Sequence, residues 1–303
     1  MALSFGQRLR VWLMRAVIVV LRVLMVLRRR PAPPETVTQH SYGSHPRETL
    51  EVIGADPNAT PRAPVVYIHG GGWIACNKEL YTADLYFLAE QGHTVFNVEY
   101  PLAPETPHPG ILQSLLRALE WIRENHPSCT HAHFMGDSAG GNLVTMLGLL
   151  CENPERIADI DAEAPQRTGV SCLSVISIYG VLDRLSWLEH GFPLSGAMLE
   201  SYGGKTAFEE KVGPDLAITP MDLEFDASPP LYLCGATQDP LCESTRIFAE
   251  RMKGSPVEVQ VEYFEGEQHG FFNLSWREAS QELRRQILAF AARHEPTPSR
   301  GDA

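Results

Sequence analysis

The sequence predicts an α/β fold, a mostly parallel central sheet with helices on both faces and a cap. Three observations predict it: β-branched runs alternate with longer helical patterns, glycine-rich turns follow directly on two of those runs, and one apolar stretch breaks the alternation. With 303 residues, 44% of them hydrophobic, the chain has enough apolar surface for one large core rather than a disordered coil.

Residues 1–30 form a leader with an apolar run over 11–27, long enough to suggest a signal peptide or a short span. Arg15 and Arg22 interrupt it, and with Arg8 and Arg29 they recur every seven residues, which places four cations on one stripe of a helix. That pattern fits a helix lying in a membrane interface. A helix folded onto the body as part of a cap and a signal anchor are the other readings; no small-x-small cleavage site follows, only Arg28-Arg29-Arg30. A Pro-rich linker over 31–47 leads to one large α/β domain over 48–295, and the polar stretch 296–303 reads as a disordered tail.

Within the domain, strands are expected at Val65-Val66-Tyr67-Ile68, at 94–98, 131–135 and 173–177, at Leu231-Tyr232-Leu233 and at 257–261. Helices are expected at 80–91, 111–125, 142–151, 244–253 and 280–292. Such alternation implies a parallel sheet whose reactive groups collect at the carboxyl ends of the strands. Residues 182–222 follow a strand without a helix of sheet-packing length and carry Trp187, Phe192, Met198, Leu199 and Tyr202. They read as a cap lining an acyl pocket, or as a surface excursion packed on its own side chains.

The net charge is −12, yet the leader holds seven arginines and no acid, leaving 18 basic against 37 acidic residues in the body, a charge of −19. An acidic body offers no basic face for phosphate, which argues against nucleic acid as a partner. The leader points instead to an anionic surface, so membrane-surface contact through residues 1–30 is expected. The six cysteines lie far apart, with no CxxC pair and no spacing that builds a zinc site, and read as reduced thiols of a cytoplasmic protein.

Gly136-Asp137-Ser138-Ala139-Gly140 lies between a predicted strand and a predicted helix. A serine between two glycines on such a turn exposes its hydroxyl above the sheet, and the helix N-terminus beneath favours developing negative charge. Ser138 is therefore the candidate nucleophile. His69-Gly70-Gly71-Gly72-Trp73 follows the strand at 65–68, where backbone N–H groups can meet a tetrahedral oxyanion. The amides of Gly71, Gly72 and Ala139 are the candidate donors, with Gly70 serving the turn. The metal reading of His131 and His133, spaced as H-x-H, is weaker than their reading as strand-start residues.

A base should follow the nucleophile and the acid in the chain, which leaves His269 and His294 among eleven histidines. His294 ends the last helix beside the tail, whereas His269 lies in Gly266-Glu267-Gln268-His269-Gly270-Phe271, a loop after a strand, and is the candidate. Asp239 and Asp183 both stand at strand ends where an acid could orient the imidazole. Asp137, next to the nucleophile, is expected to point away and brace the loop.

Taken together, His69-Gly70-Gly71-Gly72-Trp73, Tyr100-Pro101-Leu102-Ala103-Pro104-Glu105, Gly136-Asp137-Ser138-Ala139-Gly140-Gly141-Asn142, Asp239-Pro240-Leu241 and His269-Gly270-Phe271 resemble the hormone-sensitive-lipase-like family of α/β-hydrolase esterases. The resemblance covers residues 60–295. It implies an eight-stranded sheet, a cap built partly from the N-terminal segment, and cofactor-free hydrolysis of a small carboxylic ester by Ser138, His269 and Asp239. Pro101 departs from it, since the family usually has arginine there. The triad alone does not separate an esterase from an amidase or formamidase; a non-catalytic receptor of this fold would lack the base, which is present here.

Overall fold

The computed structural model describes residues 5–26, 36–161, 169–190 and 194–296. Phe192, Arg29 and the tail over 297–303 lie outside them. In chain order the helices are α1 (Phe5–Val26), α2 (Tyr86–Ala89), α3 (Gly110–Asn125), α4 (Ala139–Glu152), α5 (Ile157–Ile160), α6 (Arg184–Glu189), α7 (Ser195–Gly203), α8 (Cys242–Arg251) and α9 (Glu278–Arg293). The strands are β1 (Val37–Ser41), β2 (Thr49–Ile53), β3 (Arg62–Ile68), β4 (His93–Val98), β5 (His131–Asp137), β6 (Ser171–Ile178), β7 (Leu231–Ala236) and β8 (Val259–Phe264).

All eight strands share one sheet in the order β1-β2-β4-β3-β5-β6-β7-β8. Strand β2 pairs antiparallel with both β1 and β4, while the pairs from β4 to β8 are parallel. From β3 the chain moves outward to β4, then jumps back over β3 to β5 and continues the other way. The strand order therefore reverses where β3 and β5 lie side by side, and the crevice at their carboxyl ends is where such sheets bind ligands. The loop after β3 is the glycine run at 69–72 and the turn after β5 carries Ser138.

Helix α4 is buried along its length, from Ala139 to Leu150. A helix can sit this deep only if its first turn is small, and a Cβ on Gly140 would collide with the Ile68 and His69 carbonyls.

The helix expected at 80–91 is broken: two 3₁₀ turns, Lys78–Leu80 and Thr82–Asp84, precede the single turn of α2. Its polar side chains are committed to distant partners, Thr82 Oγ1 donating to Glu51 Oε2 at 2.6 Å and Asp84 Oδ2 accepting from Asn273 Nδ2 at 3.0 Å. The proposed linker also contains structure, since β1 falls inside 31–47 and β2 just beyond it. Strand β1 is exposed at every residue and so has no apolar alternation to betray it. In β2 the alternation is masked by Glu51, which is buried and accepts from Asn97 Nδ2 at 2.9 Å.

The arginine stripe expected on the leader is corrected at Arg15, which turns inward. Its Nε donates to the Ile74 carbonyl at 2.6 Å, its Nη2 to the Ala103 carbonyl at 2.8 Å, and Glu105 pairs with the guanidinium. Val11 and Met14 are buried on the same side, so α1 packs on the body. No described helix is long and apolar enough to cross a membrane.

Three histidines make the fold acid-sensitive. Burial pushes His133 down to about 3 and His108 down to about 4, and it lowers His93 as well. An unfolded histidine titrates near 6.5, so below that pH the unfolded chain binds protons that the folded chain refuses. Stability present at neutral pH is then lost as pH falls toward 4, by up to about 1.4 kcal/mol per pH unit for His133 and for His108, with His93 acting in the same direction. Urea unfolding should show a lower midpoint at about pH 4.5 than at about pH 7, and an unchanged midpoint would refute the linkage.

Candidate active site

Ser138 caps α4 with φ 55° and ψ −121°, a conformation costly for a residue with a Cβ and one that lifts its side chain clear of the sheet. The turn is tied down around it. Ser138 N donates to the Ile178 carbonyl at 2.9 Å, and the neighbouring Asp137 turns away from the hydroxyl. Asp137 Oδ1 accepts from Tyr67 Oη at 2.6 Å and from Gly70 N at 2.9 Å, so it locks the β5 turn to the glycine loop after β3. Because its amide is spent on Asp137, Gly70 acts in the turn and not as an open donor.

His269 reaches the serine from the loop after β8. Its Nδ1 donates to Asp239 Oδ2 at 2.6 Å, and its Nε2 lies 3.1 Å from Ser138 Oγ. A carboxylate only accepts, which leaves Nε2 of the neutral ring free to accept the serine proton. Asp239 sits in the turn between β7 and α8, fully buried, with its second oxygen accepting from Leu241 N at 3.0 Å. Gln238 N donates to the Glu267 carbonyl at 2.9 Å and ties the acid's turn to the histidine's loop. Burial opposes a charge on His269, but the Asp239 carboxylate, through its charge and its hydrogen bond, outweighs it and raises the imidazole above its ordinary value.

The other candidates lie elsewhere. Asp183 Oδ2 accepts from Ser186 N at 2.8 Å and caps α6. His294 Nδ1 donates to the Phe290 carbonyl at 3.0 Å and its Nε2 faces Glu258. His133 Nδ1 lies 2.8 Å from Ser174 Oγ, and no metal-binding cluster occurs among the described residues.

Residues 69–73 are held from both sides. Gly72 has φ +61°, and a Cβ there would meet Met198 Sδ at 2.5 Å, so α7 of the cap lies directly on the loop. Trp73 is buried against Tyr202 at 4.5 Å, nearly parallel, and edge-on to Trp187 at 5.9 Å. Among the described residues of the 182–222 segment, Trp187, Met198 and Tyr202 are buried and pack on the glycine loop at Gly72 and Trp73.

Beneath the loop is a polar support that residue typing did not single out. His69 is stacked between Tyr81 and Tyr100 and bridges the Gly70 carbonyl at 2.7 Å and Glu99 Oε1 at 3.0 Å. Glu99 also accepts from Arg47 Nη2 at 2.6 Å and from the Lys78 amide at 3.0 Å. Burial works against its ionisation, but His69 and Arg47 more than offset this and hold the carboxyl below its usual range. Arg47 Nε also donates to the Tyr100 carbonyl at 3.0 Å, so a guanidinium reaches the loop that contains Pro101 from the β1–β2 connection. The available signal was a glutamate just past β4, between the apolar Val98 and Tyr100.

Residues 65–273 match a family model described as the alpha/beta hydrolase fold. The chain is 27% identical over 250 residues to the esterase LipC of Mycobacterium tuberculosis, covering 76% of this chain and 58% of that protein, so it spans less than two thirds of that relative's length. It is 24% identical over 253 residues to an acetyl esterase of Salmonella typhi, covering 80% of this chain and 75% of the other. The crystal structure of esterase B from Lactobacillus rhamnosis superposes with a TM-score of 0.82 at 20% identity, covering 95% of each chain.

Proposed function

The chain belongs to the α/β-hydrolase fold family, and from that premise we propose that it is a carboxylesterase-type serine hydrolase with Ser138 as nucleophile, His269 as base and Asp239 as acid. The observation that carries the reading is the single imidazole bridging Asp239 at 2.6 Å and Ser138 at 3.1 Å. Names of similar proteins, an esterase and an acetyl esterase, support the same class.

His269 Nε2 takes the Ser138 proton as Oγ bonds to the acyl carbon. The carbonyl oxygen becomes an oxyanion, met by the amides of Gly71, Gly72 and Ala139 and by the N-terminus of α4. Collapse breaks the acyl–oxygen bond, and the leaving alkoxide takes the proton from His269 to depart as the alcohol. Water then gives its proton to His269, attacks the acyl-enzyme and releases the carboxylic acid, and Ser138 recovers its proton. Asp239 holds the ring and stabilises the imidazolium at each stage.

The cap supports a preference for short- to medium-chain acyl groups, because Met198 rests on Gly72 and Trp73 is enclosed by Trp187 and Tyr202. A series of p-nitrophenyl esters of increasing acyl length, run beside the matching anilides and formanilide, tests both points. Fastest turnover is expected on the short and medium esters, with the anilides far slower. Faster hydrolysis of formanilide than of any ester would favour a formamidase, and a preference for the longest chains would contradict the proposed acyl preference.

A further inference from the structure

Chemistry at Ser138 leaves the outer face of α1 without a purpose. The inner face is settled by Val11, Met14, Arg15 and Ile18, spaced three and four apart, with Val11 and Met14 buried and Arg15 bonded to the body. The opposite face carries Leu9, Trp12, Leu13, Val17, Val20 and Val23, exposed by 37% to 64%, Trp12 the most. No charged or polar side chain is described among them. They run along about 21 Å of helix. A single exposed hydrophobe is ordinary, whereas a continuous stripe of this length on a soluble surface needs a covering partner.

Charge decides what kind of partner. The first thirty residues carry seven arginines and no acid, against −19 for the remainder. Pairing two copies through this face would bring two arginine-bearing segments together, at a repulsive cost. An anionic bilayer satisfies both features, taking the apolar stripe into the acyl boundary and the arginine-rich segment at its phosphates. We propose that α1 docks this chain on an anionic lipid surface, lying in the interface plane through the stripe from Leu9 to Val23. The arrangement differs from an arginine face turned to lipid, since Arg15 is used inside to clamp the helix to Ile74, Ala103 and Glu105.

Docking by α1 also sets the lipid near the site. Arg15 holds the carbonyl of Ile74, next to Trp73, and a cavity of about 530 Å³ between helix and loop is lined by Arg15, Val19, Arg47, Ala75, Leu102 and Glu105. The bilayer then lies about one helix diameter, roughly 10 Å, from the glycine loop. This second point rests on the esterase reading; docking itself requires only α1 and would survive the loss of that reading.

The test is co-sedimentation of the full chain with vesicles of phosphatidylcholine alone and of phosphatidylcholine mixed with phosphatidylglycerol, over a range of salt. A Trp12→Glu/Val20→Glu variant, checked for an unchanged circular dichroism spectrum and thermal transition, is run beside it. Binding should favour the mixed vesicles, weaken with salt and fall more than about tenfold in the variant. Equal binding to both vesicle types, undiminished binding of the variant, or insertion that resists carbonate would each overturn the proposal. So would a dimer in sedimentation equilibrium that the variant disrupts while vesicles are ignored, since a second copy would then be the occupant. Ester turnover plays no part in the readout, so failure here and failure of the triad are distinguishable.

Discussion

Replacing Ser138 with alanine is expected to lower kcat on p-nitrophenyl acetate by about 10⁶-fold, the size of loss seen when a serine protease loses its nucleophile. The hydroxyl makes the bond to the acyl carbon, and nothing else at the turn between β5 and α4 can replace it. What survives would be the modest rate owed to the glycine-loop donors and to binding. Stability should hardly change, because alanine is smaller than serine and occupies the same φ of 55° at similar cost. Turnover at a comparable rate in variant protein free of contaminating esterase would remove Ser138 from the reaction.

Asp239→Asn should cost on the order of 10⁴-fold in kcat, while Asp183→Asn should change it by no more than a few-fold. Asparagine at 239 keeps the size of the side chain but loses the charge that pairs with the imidazolium, and it can donate to Nδ1 and so select the wrong tautomer. Asparagine at 183 still caps α6 through its side-chain oxygen. The two variants also differ in pH dependence. His269 must be neutral to act as base, so kcat/KM should climb as pH rises through an imidazole value lying above 6.5. Without the Asp239 charge that value drops, and the rising limb of the Asp239→Asn variant should move to lower pH. Equal losses from the two substitutions, or a limb that does not move, would reject Asp239 as the acid.

The residues placed around Ser138 were legible because each is announced locally. A small-residue turn must flank a serine between strand and helix, and a glycine run must follow a strand to expose its amides. Less was legible where a residue's role depends on a distant partner. Glu51 sits in the middle of β2 because Asn97 and Thr82 satisfy it, and neither is near it in the chain. Glu99 supports His69 from 30 residues further along the chain, and Arg47, 52 residues before Glu99, holds that carboxylate. Helical periodicity found the stripe that contains Arg15 but not its direction, since only Glu105 and the carbonyls of Ile74 and Ala103 make an inward guanidinium tolerable. Asp239 and Asp183 illustrate the same limit, because both end up in strand-end turns and only the position of His269 separates them.

Mass spectrometry of the intact chain after brief treatment with a fluorophosphonate tests the central claim most directly, because the reagent bonds to a serine whose proton a neighbouring base removes and releases fluoride. A single adduct per chain is expected, mapped to the peptide containing Ser138, absent from Ser138→Ala and formed much more slowly in Asp239→Asn. A folded chain that takes no adduct, or one whose adduct lies on another residue and persists in Ser138→Ala, would contradict the account.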